Sequence, residues 1–378
     1  MIRWSKRLPE RGSATGRATI RDVASLAGVS IGTASKALNG QGAMRAETRD
    51  RVAAAARQLC FAPNVHARAL LGGRTFTVGL ITTDSFGRFS IPVMLGAEDA
   101  LGAGQISVFM CDTRDDPARE RRYVELLLAR RVDGLIVTGR RIEPRPGLRT
   151  GATPVVYAMT QSLEGDGPAV VPDDYGGGKL AARHLIATGR RQIGHITGPE
   201  RFLAARKRAQ GFLDAMAEAG LESSPDDVLY GEWSERWGRK AADVLLGSSP
   251  GTDAVFCGSD QIARGVIDTL RRLGRQVPGD IAVAGFDNWE PMVLGAEPPL
   301  TSVDMRLEDV GRIAAGHLLA ALGGHPARGT HTVPCRLAVR GSTVPGSGGE
   351  PAAPDPRGGH LVPAPVSPLP ARPQAPGA

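Results

Sequence analysis

The chain has 378 residues, 22% of them charged, and a formal net charge of +7 at neutral pH; it is long enough for more than one domain and for a self-sufficient hydrophobic core. Its four cysteines, Cys60, Cys111, Cys257 and Cys335, are widely spaced and form no CxxC pair, which argues against a disulfide framework or a cysteine metal site and for reduced thiols. Charge is unevenly placed: residues 1–75 hold thirteen Lys/Arg against four Asp/Glu, and the remainder thirty-three against thirty-five, so attraction for a polyanion is concentrated at the amino-terminal end.

Residues 1–17 read as a basic amino-terminal arm without the apolar stretch of a signal peptide. In residues 18–63, Thr19 stands where it caps a helix beginning at Ile20, with Asp22 close to the positive helix end. Ile20, Val23, Ala24 and Ala27 recur at helical spacing and define one apolar face. Gly28 supplies a tight turn, Ser30 caps a second helix, and Val29 is placed to staple it. This second helix presents Ile31, Gly32, Thr33, Ser35 and Lys36 outward and turns Ala34 and Leu38 inward. A third helix begins after Arg45, a poor cap but a well-placed cation. Two short helices joined by a glycine turn, in a cationic segment, point to a helix-turn-helix that enters the major groove of DNA. In the linker 64–75, Asn64 can cap a short helix over 65–71 that Gly72 and Gly73 end; seven residues do not hold a helix alone in water.

From residue 76 to 343 short apolar runs alternate with helical stretches. The runs are 78–83 (VGLITT), 107–113 (SVFMCDT), 133–139 (DGLIVTG) and 154–159 (PVVYAM), then 193–198 (IGHITG), 254–260 (AVFCGSD) and 281–287 (IAVAGFD). Helices are expected around 120–130, 206–219 and 261–273. This pattern predicts parallel sheets with helices on both faces, arranged as two similar lobes. A ligand held between them meets the carboxyl ends of strands from both sides. No GxGxxG follows the first strand, no GxxxxGK[ST] occurs, and no Ser/His/Asp set or metal-ligand cluster is apparent. An enzyme or a cofactor is therefore not expected, His184 and His195 read as structural, and an exported solute receptor lacks its signal and any use for the front end. Residues 344–378, rich in Pro, Gly and Ala, read as a disordered tail with no leucine heptad for tetramer formation.

The run TIRDVASLAGVSIGTASKALNG, followed at the appropriate distance by APNVHARALL, resembles the DNA-binding headpiece of the lactose-repressor (LacI/GalR) family of bacterial transcription regulators. The remainder, to about Thr343, resembles that family's sugar-binding core. The resemblance implies an all-α headpiece joined to a two-lobed α/β core of the periplasmic-binding-protein kind. It also implies a cytoplasmic homodimer, usually a repressor, that binds a pseudo-palindromic operator in double-stranded DNA and answers to a small molecule, a sugar or sugar derivative. Ile31, Gly32 and Lys36 match the positions that meet base edges. Ile31 suits a thymine methyl and Lys36 guanine acceptors, although relatives often carry the bidentate Arg at that place. Thr19, Ser30, Thr33, Ser35, Asn39 and Arg45 are assigned to the backbone contacts around them. Leu70, beside Ala67 and Arg68 in the segment that Asn64 opens, matches a leucine that wedges into the minor groove. For the effector, the resemblance assigns Arg208, three residues before Gly211, with Asp287 at the end of the GFD strand, Ser259, Asp260 and an aromatic platform, Trp233. Asp84, Phe89 and Ser90 after the first core strand, and Asp173, are further ligand groups. Ser259 replaces an Asn common among relatives, and Phe86-Gly87-Arg88 is an unusual loop.

Overall fold

A computed structural model describes residues 18–38, 44–61, 75–102, 106–222 and 227–345. Two compact units divide the chain at Thr75. The first contains α1 (Ile20–Leu26), α2 (Ile31–Leu38) and α3 (Ala46–Gln58). Its core is small: Val23, Ala24, Ala27, Ala34, Val52, Ala55 and Ala56 are buried, with Ile20, Val29 and Leu38 packed against them. The turn works through hydrogen bonds that end α1. Gly28 N–H donates to Ser25 O and Val29 N–H to Ala24 O, a pairing that requires the left-handed backbone Gly28 adopts at φ 61°. Ser30 caps α2 as its type predicts, accepting from Thr33 N–H at 3.1 Å. Arg45 precedes α3 without a side-chain cap.

The second unit carries two six-stranded sheets. The first lobe uses β1 (Thr77–Thr82), β2 (Ser107–Asp112), β3 (Gly134–Thr138), β5 (Val155–Ala158), β7 (Ala169–Pro172) and β13 (Thr330–Val333), in the order β13-β7-β5-β3-β1-β2. The second uses β8 (Ile193–Thr197), β9 (Val228–Tyr230), β10 (Ala254–Cys257), β11 (Ala282–Phe286), β12 (Thr301–Asp304) and β14 (Arg336–Ala338), in the order β14-β12-β11-β10-β8-β9. A two-stranded addition pairs β4 (Pro144–Arg145) with β6 (Gln161–Ser162). Each of the seven apolar runs read from the sequence overlaps one strand. The sheets are parallel as expected apart from one edge strand: β14 runs antiparallel to β12.

Helices cover the sheets: α4 (Ser90–Ala100) and α5 (Pro117–Ala129) in the first lobe; α6 (Asp174–Ala187), α7 (Leu203–Glu218), α8 (Glu235–Ser248), α9 (Asp260–Arg272) and the short α10 (Glu290–Val293) in the second. After β12 the chain returns to the first lobe as α11 (Leu307–Leu322), which packs on α4. Three connections therefore join the lobes: β7 to α6, β12 to α11, and β13 to β14. Strands β1, β3 and β5 are buried along nearly their whole length, which explains their uninterrupted apolar sequence. None of the described helices is long and apolar enough to cross a membrane.

Candidate functional site

In the helix-turn-helix unit, Ile31, Gly32 and Lys36 lie exposed on α2 while Ala34 is fully buried. An exposed isoleucine, 45% accessible in a unit whose other apolar residues mostly pack inward, provides an apolar contact for a groove. Thr33 has local partners: its N–H donates to Ser30 Oγ and its hydroxyl engages the same oxygen at 2.8 Å. Thr19 Oγ1 likewise donates to Asp22 at 2.7 Å, as does Thr19 N–H. Those bonds hold the Asp22 carboxyl below its ordinary value. Arg45 is exposed. Asn39, Asn64, Ala67, Arg68 and Leu70 lie outside the described residues, as do the expected arm, most of the linker and the tail.

Between the two lobes of the second unit lies a cavity of about 440 Å³, within the size range of small-molecule sites. It forms at the strand ends, as predicted from two facing parallel sheets. The loop after β1 supplies Asp84, Phe86, Arg88 and Phe89; the loop after β3 supplies Arg140, Arg141 and Glu143. From the second lobe come Phe202 and Arg208 on and before α7, Trp233 after β9, Ser259 and Gln261 at the start of α9, and Asp287 and Trp289 after β11.

Arg208 organises this site. Helices α6 and α7 cross so closely that a Cβ on Gly178 meets Arg208 O at 2.2 Å, and this contact fixes where the arginine leaves its helix. Its Nε donates to Asp174 Oδ1 at 2.7 Å and its Nη1 to Gly258 O at 2.6 Å; Asp287 Oδ1 lies 3.6 Å away. The guanidinium lies over Phe286 at 3.6 Å and also faces the Trp233 ring at 5.7 Å. Arg88 reaches Asp287 from the opposite lobe, contacts Gln261 Oε1 at 3.2 Å, and stacks on Phe89 and Trp289. Burial pushes the Asp287 carboxyl up, and the two guanidiniums pull it back. Glu143 makes a second tie between lobes, accepting from Leu203 N–H at 2.6 Å at the start of α7. A charged, aromatic-lined cleft of this kind binds hydroxyls through forked donors and acceptors and covers an apolar ring face.

Of the residues expected at the effector, Asp84, Phe89, Arg208, Trp233, Ser259 and Asp287 line the cavity, and Ser90, Asp173 and Asp260 do not. Asp84 also caps α4 through Phe89 N–H and Ser90 N–H, and Ser259 caps α9. Ser90 is fully buried and turned onto Asp84. Asp173 caps α6 by accepting from Gly176 N–H at 2.8 Å, and the neighbouring Asp174 faces the cavity in its place. The Asp260 carboxylate accepts from Ser302 Oγ at 2.5 Å and Trp289 N–H at 2.7 Å. Burial and the nearby Asp287 charge push its carboxyl up. It shapes the turn that carries Trp289 and does not line the cavity.

Sequence reading missed Arg88, Glu143, Asp174, Gln261 and Trp289. Arg88, Asp174 and Gln261 are sequence neighbours of Phe89, Asp173 and Asp260, and Trp289 lies two positions after Asp287. The unusual character of the 86–88 loop is a further signal for Arg88.

Residues 19–64 match the family described as bacterial regulatory proteins, lacI family, and residues 182–343 match the periplasmic binding protein-like domain. The HTH-type transcriptional repressor PurR of Aliivibrio salmonicida (strain LFI1238) is 32% identical over 305 residues, covering 80% of this chain and 91% of that protein. The chain belongs to the LacI family. Two solved structures are similar to this chain. A transcriptional regulator CelR–cellobiose complex is 32% identical, with a TM-score of 0.61 over 86% of this chain and all of that one. A Lac repressor dimer bound to operator and an anti-inducer is 25% identical, with a TM-score of 0.72 over 87% of this chain and all of that one. This LacI-family protein is accordingly a DNA-binding transcription regulator and not an enzyme.

Proposed function

We propose that this LacI-family regulator binds a pseudo-palindromic operator as a homodimer, most simply as a cytoplasmic repressor, and that a carbohydrate in the interlobe cavity sets its affinity. The observation that carries this reading is the cavity itself: Arg208 held between Asp174 and Asp287, with Trp233 and Trp289 beside it. The CelR–cellobiose complex supports a sugar, and the Lac repressor dimer on operator supports the assembly. Ile91 and Leu95 on α4 and Phe109 and Met110 on edge strand β2 are exposed apolar side chains, available for burial by a second subunit.

On DNA, Ile31 and Lys36 read base edges and Gly32 permits close approach. Thr19, Ser30, Thr33, Ser35, Asn39 and Arg45 position the headpiece on phosphates. Asn64, Ala67, Arg68 and Leu70 form the hinge contact in the minor groove. Coupling runs through the lobes. Arg88 ties the first lobe to Asp287 and Gln261, and Glu143 ties it to α7. A ligand that replaces these ties shifts one lobe against the other and biases the hinge pairing between subunits.

The test is selection of duplexes from a random pool by the full-length protein, followed by anisotropy titration at several salt concentrations with and without sugars. A selected palindrome, bound with a steep salt dependence and an affinity that one sugar changes, is the expected result. Failure to enrich any duplex over competitor refutes the reading.

A further inference from the structure

A second cavity, of about 270 Å³, opens in the first lobe beside the first and shares Arg140, Arg141 and Glu143 with it as a common wall. It sits at the carboxyl ends of β1, β2 and β3, where Thr83, Thr113 and Thr138 face it, with Pro117, Pro144 and Pro146 as its apolar surfaces. Thr138 is 1% exposed, and its Oγ1 has no hydrogen-bond partner. Glu143 Oε2 is also buried and unpartnered, while its Oε1 is held by Leu203 N–H. Such groups are nearly always satisfied in a native protein, by water or by a ligand. The unsatisfied atoms therefore lie at the floor and at the shared wall of this cavity.

Most charges around it have partners, and Arg141 lies over the Phe202 ring at 4.7 Å. Arg145 makes two hydrogen bonds to Glu120, Arg140 lies 3.7 Å from Asp115, and Asp116 accepts from Ala118 N–H. Four acids, Asp115, Asp116, Glu120 and Glu143, stand against Arg140, Arg141 and Arg145. A phosphate or carboxylate meets more acids than arginines here, and of those arginines only Arg141 lacks an acidic partner among the described residues, whereas a neutral hydroxyl can donate to Glu143 and exchange a hydrogen bond with Thr138.

We infer that the lobe-one cavity is a second ring subsite, adjoining the interlobe cavity along their shared residues, and that the effector is an uncharged carbohydrate of at least two sugar rings. This inference rests on the carbohydrate reading above. The first ring lies between the lobes against Trp233 and Arg208. The second passes the Arg140–Arg141–Glu143 wall and places its hydroxyls on Thr138 and Glu143.

The experiment uses full-length protein and calorimetric titration with glucose, xylose and galactose and with their unphosphorylated two- and three-ring oligomers, including cellobiose, maltose and xylobiose. In the wild type a two-ring sugar binds at least tenfold more tightly than its own one-ring unit. In Thr138→Val, an isosteric change whose folding is checked by its melting temperature, that ratio falls about threefold to tenfold, the loss of one hydrogen bond. Equal affinities for one and two rings in the wild type overturn the second subsite and leave the carbohydrate reading standing. So does an unchanged ratio in Thr138→Val. Binding of no sugar overturns both.

Discussion

Arg208 is the side chain whose removal the structure makes most costly, and Arg208→Met isolates its charge. The arginine side chain is 7% exposed and Asp174 is fully buried, with 2.7 Å between Nε and Oδ1. Methionine keeps an unbranched apolar stem against Phe286 but strands Asp174 without its cation. Removing one partner of a buried ion pair costs about 3–5 kcal/mol. For a unit of this size each kcal/mol moves the melting temperature by about 2–4 °C, so a fall of roughly 6–20 °C is expected. Tryptophan fluorescence reads it cleanly, because three of the four tryptophans, Trp233, Trp237 and Trp289, belong to the second unit. The decisive comparison is Arg208→Met with Asp174→Asn added. Removing both charges leaves no stranded carboxylate, and at least half of the lost stability returns. A double variant no more stable than the single one refutes the argument that the unpaired acid causes the loss. Both variants also lose the sugar response in the operator titration, because Asp287 then answers only to Arg88.

Burial pushes the His195 imidazole from its ordinary 6.5 down to about 3, while the ring stacks on Phe256 at 4.4 Å. The unfolded chain therefore binds the extra proton first, and stability is lost as pH falls below 6.5 toward 3. The loss is about 1.4 kcal/mol per pH unit, or about 2 kcal/mol by pH 5; His195→Phe keeps the stack and flattens the dependence of melting temperature on pH. Gly28→Ala meets no atom within 4 Å but must hold φ near 61°. It destabilises the headpiece by about 1–2 kcal/mol, read as faster hydrogen exchange in α1 and α2 with the second unit unchanged. Under the proposed wedge, Leu70→Ala weakens specific operator binding far more than binding to random duplex; equal losses in both titrations eliminate the wedge.

The sequence by itself determined what local chemistry controls. Gly28 and Ser30 act on backbone groups within a few residues of themselves, and Thr19 on the Asp22 carboxylate three residues on, so this turn and helix start are legible from residue type and spacing. Buried parallel strands such as β3 announce themselves as apolar runs because both faces are covered. The tertiary structure alone decided which polar side chains share a cavity. Asp260 and Asp287 both end or follow a core strand, yet one is consumed by Ser302 and the Trp289 amide while the other meets two arginines. Arg88 and Asp287 are 199 residues apart and meet only because the lobes face each other. The return of α11 and β13 to the first lobe was equally hidden, since no local preference records which sheet a strand will join. Caps, tight turns and helical periods act along the chain; the partner of a buried charge is chosen across it.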